Sequence, residues 1–146
     1  MKSKILITII LLAGIMRLWQ LGDVPPSPDW DEVALGYNAY SIAQTGRDEY
    51  GQFLPMVLRS FDDYKPALYA YLAIPSITIF GLNTFAVRLP SAIFGILTVV
   101  ATYFLVKELF GKLAISHKLS AISAFLLAVS PWHLQLSRNA WEGSLG

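Results

Sequence analysis

The chain contains no cysteine, which excludes disulfides, thiolate chemistry and cysteine-ligated metals. It has no glycine-rich phosphate loop and no Gly-x-Ser-x-Gly nucleophile elbow, which argues against a nucleotide-driven pump domain or a serine hydrolase in this segment. Nor does it carry a basic stripe of the kind that binds nucleic acid. Charge of any sign is scarce: Asp, Glu, Lys and Arg make up 14% of the residues, against 55% hydrophobic. With a mean hydropathy of +0.52, the composition is too apolar for an ordinary soluble domain. It points to an integral membrane protein.

The charge that is present is gathered in one place. Eight of the ten acidic residues fall in the loop 23–65, where the only cations are Arg47, Arg59 and Lys65. The net charge of +1 hides this segregation. Ionisable residues held beside a bilayer are expensive and usually kept for a purpose. The same loop contains Pro28-Asp29-Trp30-Asp31-Glu32.

Lys2 and Lys4 precede an uncharged run, 5–16, a layout shared by signal peptides and membrane anchors. The flank Arg17-Leu18-Trp19 lacks a small-x-small cleavage site and suits the membrane interface, which favours a retained anchor. Three later stretches, 66–87, 89–106 and 119–137, are almost free of charge, and each is long enough to span a bilayer of about 20 apolar residues. Counting all of them gives four spans, but places Lys107, Lys112 and Lys118 outside, against the positive-inside rule.

If 66–87 instead lies along the membrane surface, one change corrects every charge placement. Pro75 interrupts that stretch, Gly81 and Asn83 limit its helical part to about 67–80, and Tyr69, Tyr71 and Phe80 suit an interface. The expected fold is therefore an all-α integral membrane protein with about three transmembrane helices and an outer loop whose helices lie along the surface, four spans being the alternative. Its parts are a first span over 5–22, the acidic outer loop 23–65, an interfacial helix or span over 66–87, and spans over 88–110 and 119–137. Pro131 falls inside the last span, and residues 31–44 form a short helix stopped by Gly46. No recognisable domain follows the last span, so the chain is expected to be part of a longer one.

Asp31 and Glu32 begin the short helix. Two readings of them stay open: Asp29 or Asp31 caps the helix and Glu32 favours its positive end, or a carboxylate beside the membrane serves as a general base. In the three-span arrangement Lys65, Arg88 and Arg138 gather on the outer face. They either hold a phosphate or mark membrane boundaries by snorkelling. Glu142 lies four residues beyond Arg138, at helical pairing distance. His133 has no second His at ligand spacing and reads as a packing residue, His117 reads as solvated, and Trp132 and Trp141 read as interface anchors. Asp29, Asp31 and Glu32 are hard oxygen ligands compatible with a divalent metal ion, though nothing in their spacing requires one.

An ordered set of short motifs narrows the function. After the first helix come Pro28-Asp29-Trp30-Asp31-Glu32, Gly36-Tyr37-Asn38-Ala39-Tyr40 and Thr45-Gly46. Then follow Tyr64-Lys65-Pro66-Ala67-Leu68-Tyr69, Phe80-Gly81, Ala86-Val87-Arg88-Leu89-Pro90-Ser91-Ala92, Leu109-Phe110-Gly111 and Ser130-Pro131. The set resembles the N-terminal module of GT-C membrane glycosyltransferases, in the group of protein O-mannosyltransferases and lipid A aminoarabinose transferases.

The resemblance implies transfer of a sugar from a polyprenyl-phosphate carrier to a protein, lipid or glycan acceptor, at the outer side of the cell membrane. It makes Asp31 the base, with Glu32 beside it, and puts Lys65 and Arg88 in two of the family's motifs; in the chemistry this suggests, Arg88 with Lys65 or Arg138 neutralises the charge on the carrier phosphate. Asp29, Tyr37 and Glu142 are supporting candidates. Ala67 replaces a second Pro common in the Lys65 motif, which affects helix entry more than chemistry. The competing expectations are a transporter segment, which would carry acidic residues within its spans, and an assembly subunit docking through the loop.

Overall fold

The computed structural model describes residues 2–60, 63–141 and 143. Among them are six helices: α1 (Lys2–Leu18), α2 (Trp30–Thr45), α3 (Leu68–Phe80), α4 (Thr84–Leu109), α5 (Ser116–Val129) and α6 (Pro131–Leu136). Two short strands, β1 (Val57–Ser60) and β2 (Asp63–Pro66), pair antiparallel. The all-α expectation is consistent with this mostly helical fold, to which the hairpin is a minor addition. In β1 exposure alternates, with Leu58 and Ser60 buried, the period-2 pattern that half-buried strands require. Leu58 stands opposite Lys65 in the register, and both are buried, so the pairing turns Lys65 inward.

Helix α2 is specified locally. Asp29 is its N-cap, Glu32 completes a capping box, and Gly46 ends it with φ +71°, a left-handed geometry that favours glycine. The expected helix over 31–44 and its stop at Gly46 are thus both present. Gly36 lets α2 approach α4 closely: a Cβ there would lie 2.6 Å from Val87 Cγ2.

Two apolar cores share α4 as a spine. One joins α2, β1, α3 and the start of α4 around Leu35, Leu58, Tyr69 and Val87. The other packs α1 and α5 on α4 through Ala13, Val99, Ala124 and Ala128, small residues that let apolar helices approach closely. The opposite faces of these three helices expose large apolar side chains, including Leu11, Ile15, Leu97, Phe104 and Leu126.

Only α4, of 26 residues, is long and apolar enough among the described residues to cross a membrane unaided. At 1.5 Å per residue it reaches about 39 Å, whereas the 13 residues of α3 reach about 20 Å, short of a hydrocarbon core of about 30 Å.

Several readings of single residues change. Pro75 lies inside α3 without ending it. Tyr69 is fully buried, its hydroxyl bonded to the Val87 carbonyl and Ser91 Oγ, and Tyr71 donates to the Pro55 carbonyl; these rings fasten α3 to its neighbours instead of facing lipid. The continuous helix expected over 119–137 breaks at Ser130, and Pro131 starts α6, where its missing N–H is no loss. Helix α1 stops at Leu18, and residues 19–23 form turns rather than the end of a span to 22.

Candidate active site

The two adjacent carboxylates at the start of α2 have different surroundings. Glu32 is 3% exposed. Its Oε1 accepts from Arg88 Nε at 2.9 Å and from the Ala140 N–H at 2.5 Å. Its Oε2 accepts from Arg88 Nη2 at 2.8 Å and from the Asp29 N–H at 3.1 Å. The carboxylate thereby joins α2, α4 and the segment after α6, and its acceptor sites are filled.

Arg88, fully buried, is equally committed. Beyond its two bonds to Glu32, Nη1 donates to the carbonyls of Leu21 and Pro25, and Nη2 to that of Ser27. A guanidinium has five N–H donors, so each of Arg88's has a protein acceptor. Arg88, expected near a carrier phosphate, holds the α1–α2 connection and α2 against α4. Arg138 behaves similarly, donating to the carbonyls of Met16, Trp19, Gln20 and Val24. Burial first, then the positive charge of Arg88, hold its pKa below the ordinary arginine value.

Asp31, one residue from Glu32, forms an ion pair with Lys65. The lysine side chain is 6% exposed and that of Asp31 37%. The β1–β2 pairing delivers Lys65 from one side and the α2 N-terminus delivers Asp31 from the other. Asp31 and Glu32 both line a cleft of about 260 Å³, together with Asp29, Leu136, Asn139, Ala140 and Trp141. Asp29 spends one oxygen on the Trp30 N–H at 2.8 Å, which bears out the capping reading for that residue.

Tyr37, half exposed, lies apart from this cleft. It lines a second, mostly apolar hollow of about 200 Å³ with Val33, Leu82 and Val87, and Glu32 and Arg88 also border it. Glu142 lies outside the described residues. Among those described, no group of three or more His, Asp or Glu is placed to hold a metal ion.

One polar centre escaped the sequence reading. Arg17, taken there for an interfacial residue, is fully buried. Its Nη1 donates to the carbonyls of Ala13 and Ala128 at 3.2 Å, and its Nη2 lies 2.7 Å from His133 Nδ1. The Ala128 contact satisfies a carbonyl near the broken end of α5. A basic residue and a lone histidine in two apolar stretches were the available signal, since isolated polar groups there tend to find one another. Similarly His117, read as solvated, is only partly exposed and has its Nδ1 buried.

The site thus brings together a partly exposed carboxylate, a buried lysine and a cleft. The family model for dolichyl-phosphate-mannose-protein mannosyltransferases matches residues 7–141, and the chain belongs to that family. It is a glycosyltransferase family, whose named reaction takes mannose from dolichyl phosphate to protein. No curated protein and no solved structure matches the chain.

Proposed function

We propose that the protein transfers a hexose, mannose in the first instance, from a polyprenyl-phosphate carrier to an acceptor hydroxyl at the outer face of the cell membrane, with Asp31 as the base. The observation that carries this reading is the contrast between neighbours. Both carboxylates line the cleft, but Glu32 is 3% exposed and its oxygens are taken by four hydrogen bonds, whereas the Asp31 side chain is 37% exposed with a lysine beside it.

In a single inverting displacement the acceptor oxygen bonds to the anomeric carbon as the bond from that carbon to the phosphate oxygen breaks. Asp31 takes the hydroxyl proton, a contribution of about 10²–10⁴-fold for a positioned base. The carrier phosphate departs with the bonding electron pair as an already stabilised anion, so no strong acid is required. Lys65 supplies positive charge next to the developing negative charge. Arg88 and Arg138 act at one remove, by fixing the backbone that presents Asp31.

The multi-pass arrangement has α1, α4 and the α5–α6 pair in the bilayer, with α3 along its surface. The lysines 107, 112 and 118 then face the cytoplasm and the acidic loop faces out. The apolar faces of these helices give the carrier's tail a surface to lie on.

The test is Asp31→Asn, assayed in membranes with polyprenyl phosphate mannose and an acceptor peptide. Transfer falls at least 100-fold while membrane insertion and thermal unfolding stay near wild type. Wild-type turnover in that variant would sink the assignment of the base.

A further inference from the structure

The second wall of the Asp31 cleft is the short segment that follows α6. Two of its residues are tied to the scaffold. Arg138 is fastened to the carbonyls that end α1, and the Ala140 N–H is held by Glu32. Between and just beyond these ties, Asn139 and Trp141 line the cleft opposite the start of α2.

Their chemistry is unusual for a wall that is only packing. The Asn139 Oδ1 is buried and has no hydrogen-bond partner among the described residues. A buried acceptor left this way costs about 1–3 kcal/mol, and such an atom calls for an explanation. Trp141 keeps 45% of its surface exposed, at a place where an indole presents a flat apolar face with a polar edge. Across the cleft stand the carboxylates of Asp29 and Asp31.

A pyranose has complementary features: one face of C–H groups and a rim of hydroxyls. We propose that Asn139 and Trp141 bind the sugar ring of the lipid-linked donor, the indole covering its C–H face and the Asn139 amide oxygen accepting from a ring hydroxyl. This inference rests on the glycosyltransferase reading above and adds to it the residues that recognise the sugar. Because Asn139 lies between structural ties and Trp141 directly follows one, the ring would be set in a fixed place relative to Asp31, which is what a displacement at the anomeric carbon requires.

The experiment measures equilibrium binding of two lipids to the full chain in detergent: a short-chain polyprenyl phosphate mannose and the same polyprenyl phosphate without sugar. Trp141→Ala is expected to weaken the sugar-bearing lipid about tenfold and leave the sugar-free lipid unchanged, with Trp141→Phe recovering most of the loss. Asn139→Ala, a smaller change that keeps the ring stack, should show the same selectivity at about threefold. Equal weakening of both lipids in the two alanine variants would mean that the segment is structural, and it overturns the proposal. So does unchanged binding of both. If the wild-type chain binds the two lipids equally well, the donor reading stands and only this inference fails. If it binds neither, the glycosyltransferase reading falls and takes the inference with it.

Discussion

Removing the charge of Glu32 should damage the fold before it damages the chemistry. The side chain accepts four hydrogen bonds, two from Arg88 and one each from the N–H groups of Asp29 and Ala140. Its partner Arg88 is fully buried. Breaking a buried ion pair from one side costs about 3–5 kcal/mol, and the Ala140 N–H, also left without its acceptor, adds about 1–3 kcal/mol. Against a total stability of about 5–15 kcal/mol, Glu32→Ala is close to unfolding the protein. Glu32→Gln keeps the shape and one acceptor oxygen, and should cost about 2–3 kcal/mol, the value of hydrogen bonds to a charged group.

The pairing itself is read by a double-mutant cycle. Arg88→Met leaves the Glu32 charge buried and also strips donors from the carbonyls of Leu21, Pro25 and Ser27, so it is the more damaging single change. In the Glu32→Gln/Arg88→Met double variant neither charge is left alone. It should therefore be more stable than the sum of the singles by about 1.5 kcal/mol or more, inside the range of about 0.5–3 kcal/mol for residues in contact. Unfolding of all four proteins in detergent, followed by circular dichroism, gives the coupling. Additivity within about 0.5 kcal/mol would show that the two side chains do not depend on each other, and would remove the argument that Glu32 is structural.

Three further outcomes are expected. Gly36→Ala puts a methyl group against Val87 Cγ2 and should cost about 1–3 kcal/mol by overpacking, recovered in part by Val87→Ala; a melting temperature equal to wild type would contradict the close α2–α4 approach. Lys65→Met should lower transfer about tenfold or more by removing one charge-assisted contact, with Lys65→Arg intermediate; the check is a transfer assay at saturating and limiting donor. Arg17→Met should destabilise by about 2–3 kcal/mol, because Ala128 loses a donor and His133 its partner, with little direct effect on donor binding; thermal unfolding beside a donor titration separates the two.

How far the sequence is legible follows the range of the interactions involved. Helix α2 is readable because its determinants are local: Asp29 and Glu32 at capping-box spacing, and Gly46 where the chain must adopt positive φ. The bounds of α3 are readable for the same reason, from Gly81 and Asn83. The β1–β2 pairing gave no local sign. The sequence between the two strands has no Asn-Gly or Asp-Gly signal, and β2 ends in a proline. The fate of Pro131 was ambiguous in principle, since proline fits both a kinked span and the first turn of a new helix. Long-range pairing was invisible. Glu32 and Arg88 are 56 residues apart and Arg17 and His133 are 116 apart; composition identifies such groups as costly without saying which partner each will find.

The same limit hides how the candidate residues pair with one another. Asp31, Glu32, Lys65 and Arg88 do come together, in two ion pairs, but the pairs divide the work. Successive residues on an α-helix project about 100° apart, so adjacent side chains at the start of α2 meet different partners even though both line the cleft. Glu32 turns toward the buried Arg88, and Asp31 toward Lys65. The order of the two residues also suits the distances: the longer side chain spans to α4 and contacts the Ala140 N–H, while the shorter one stays near the helix start. Two adjacent carboxylates thus become one buried anchor and one partly exposed group. The two substitutions should separate accordingly, Glu32→Gln lowering stability and activity together, Asp31→Asn lowering activity alone.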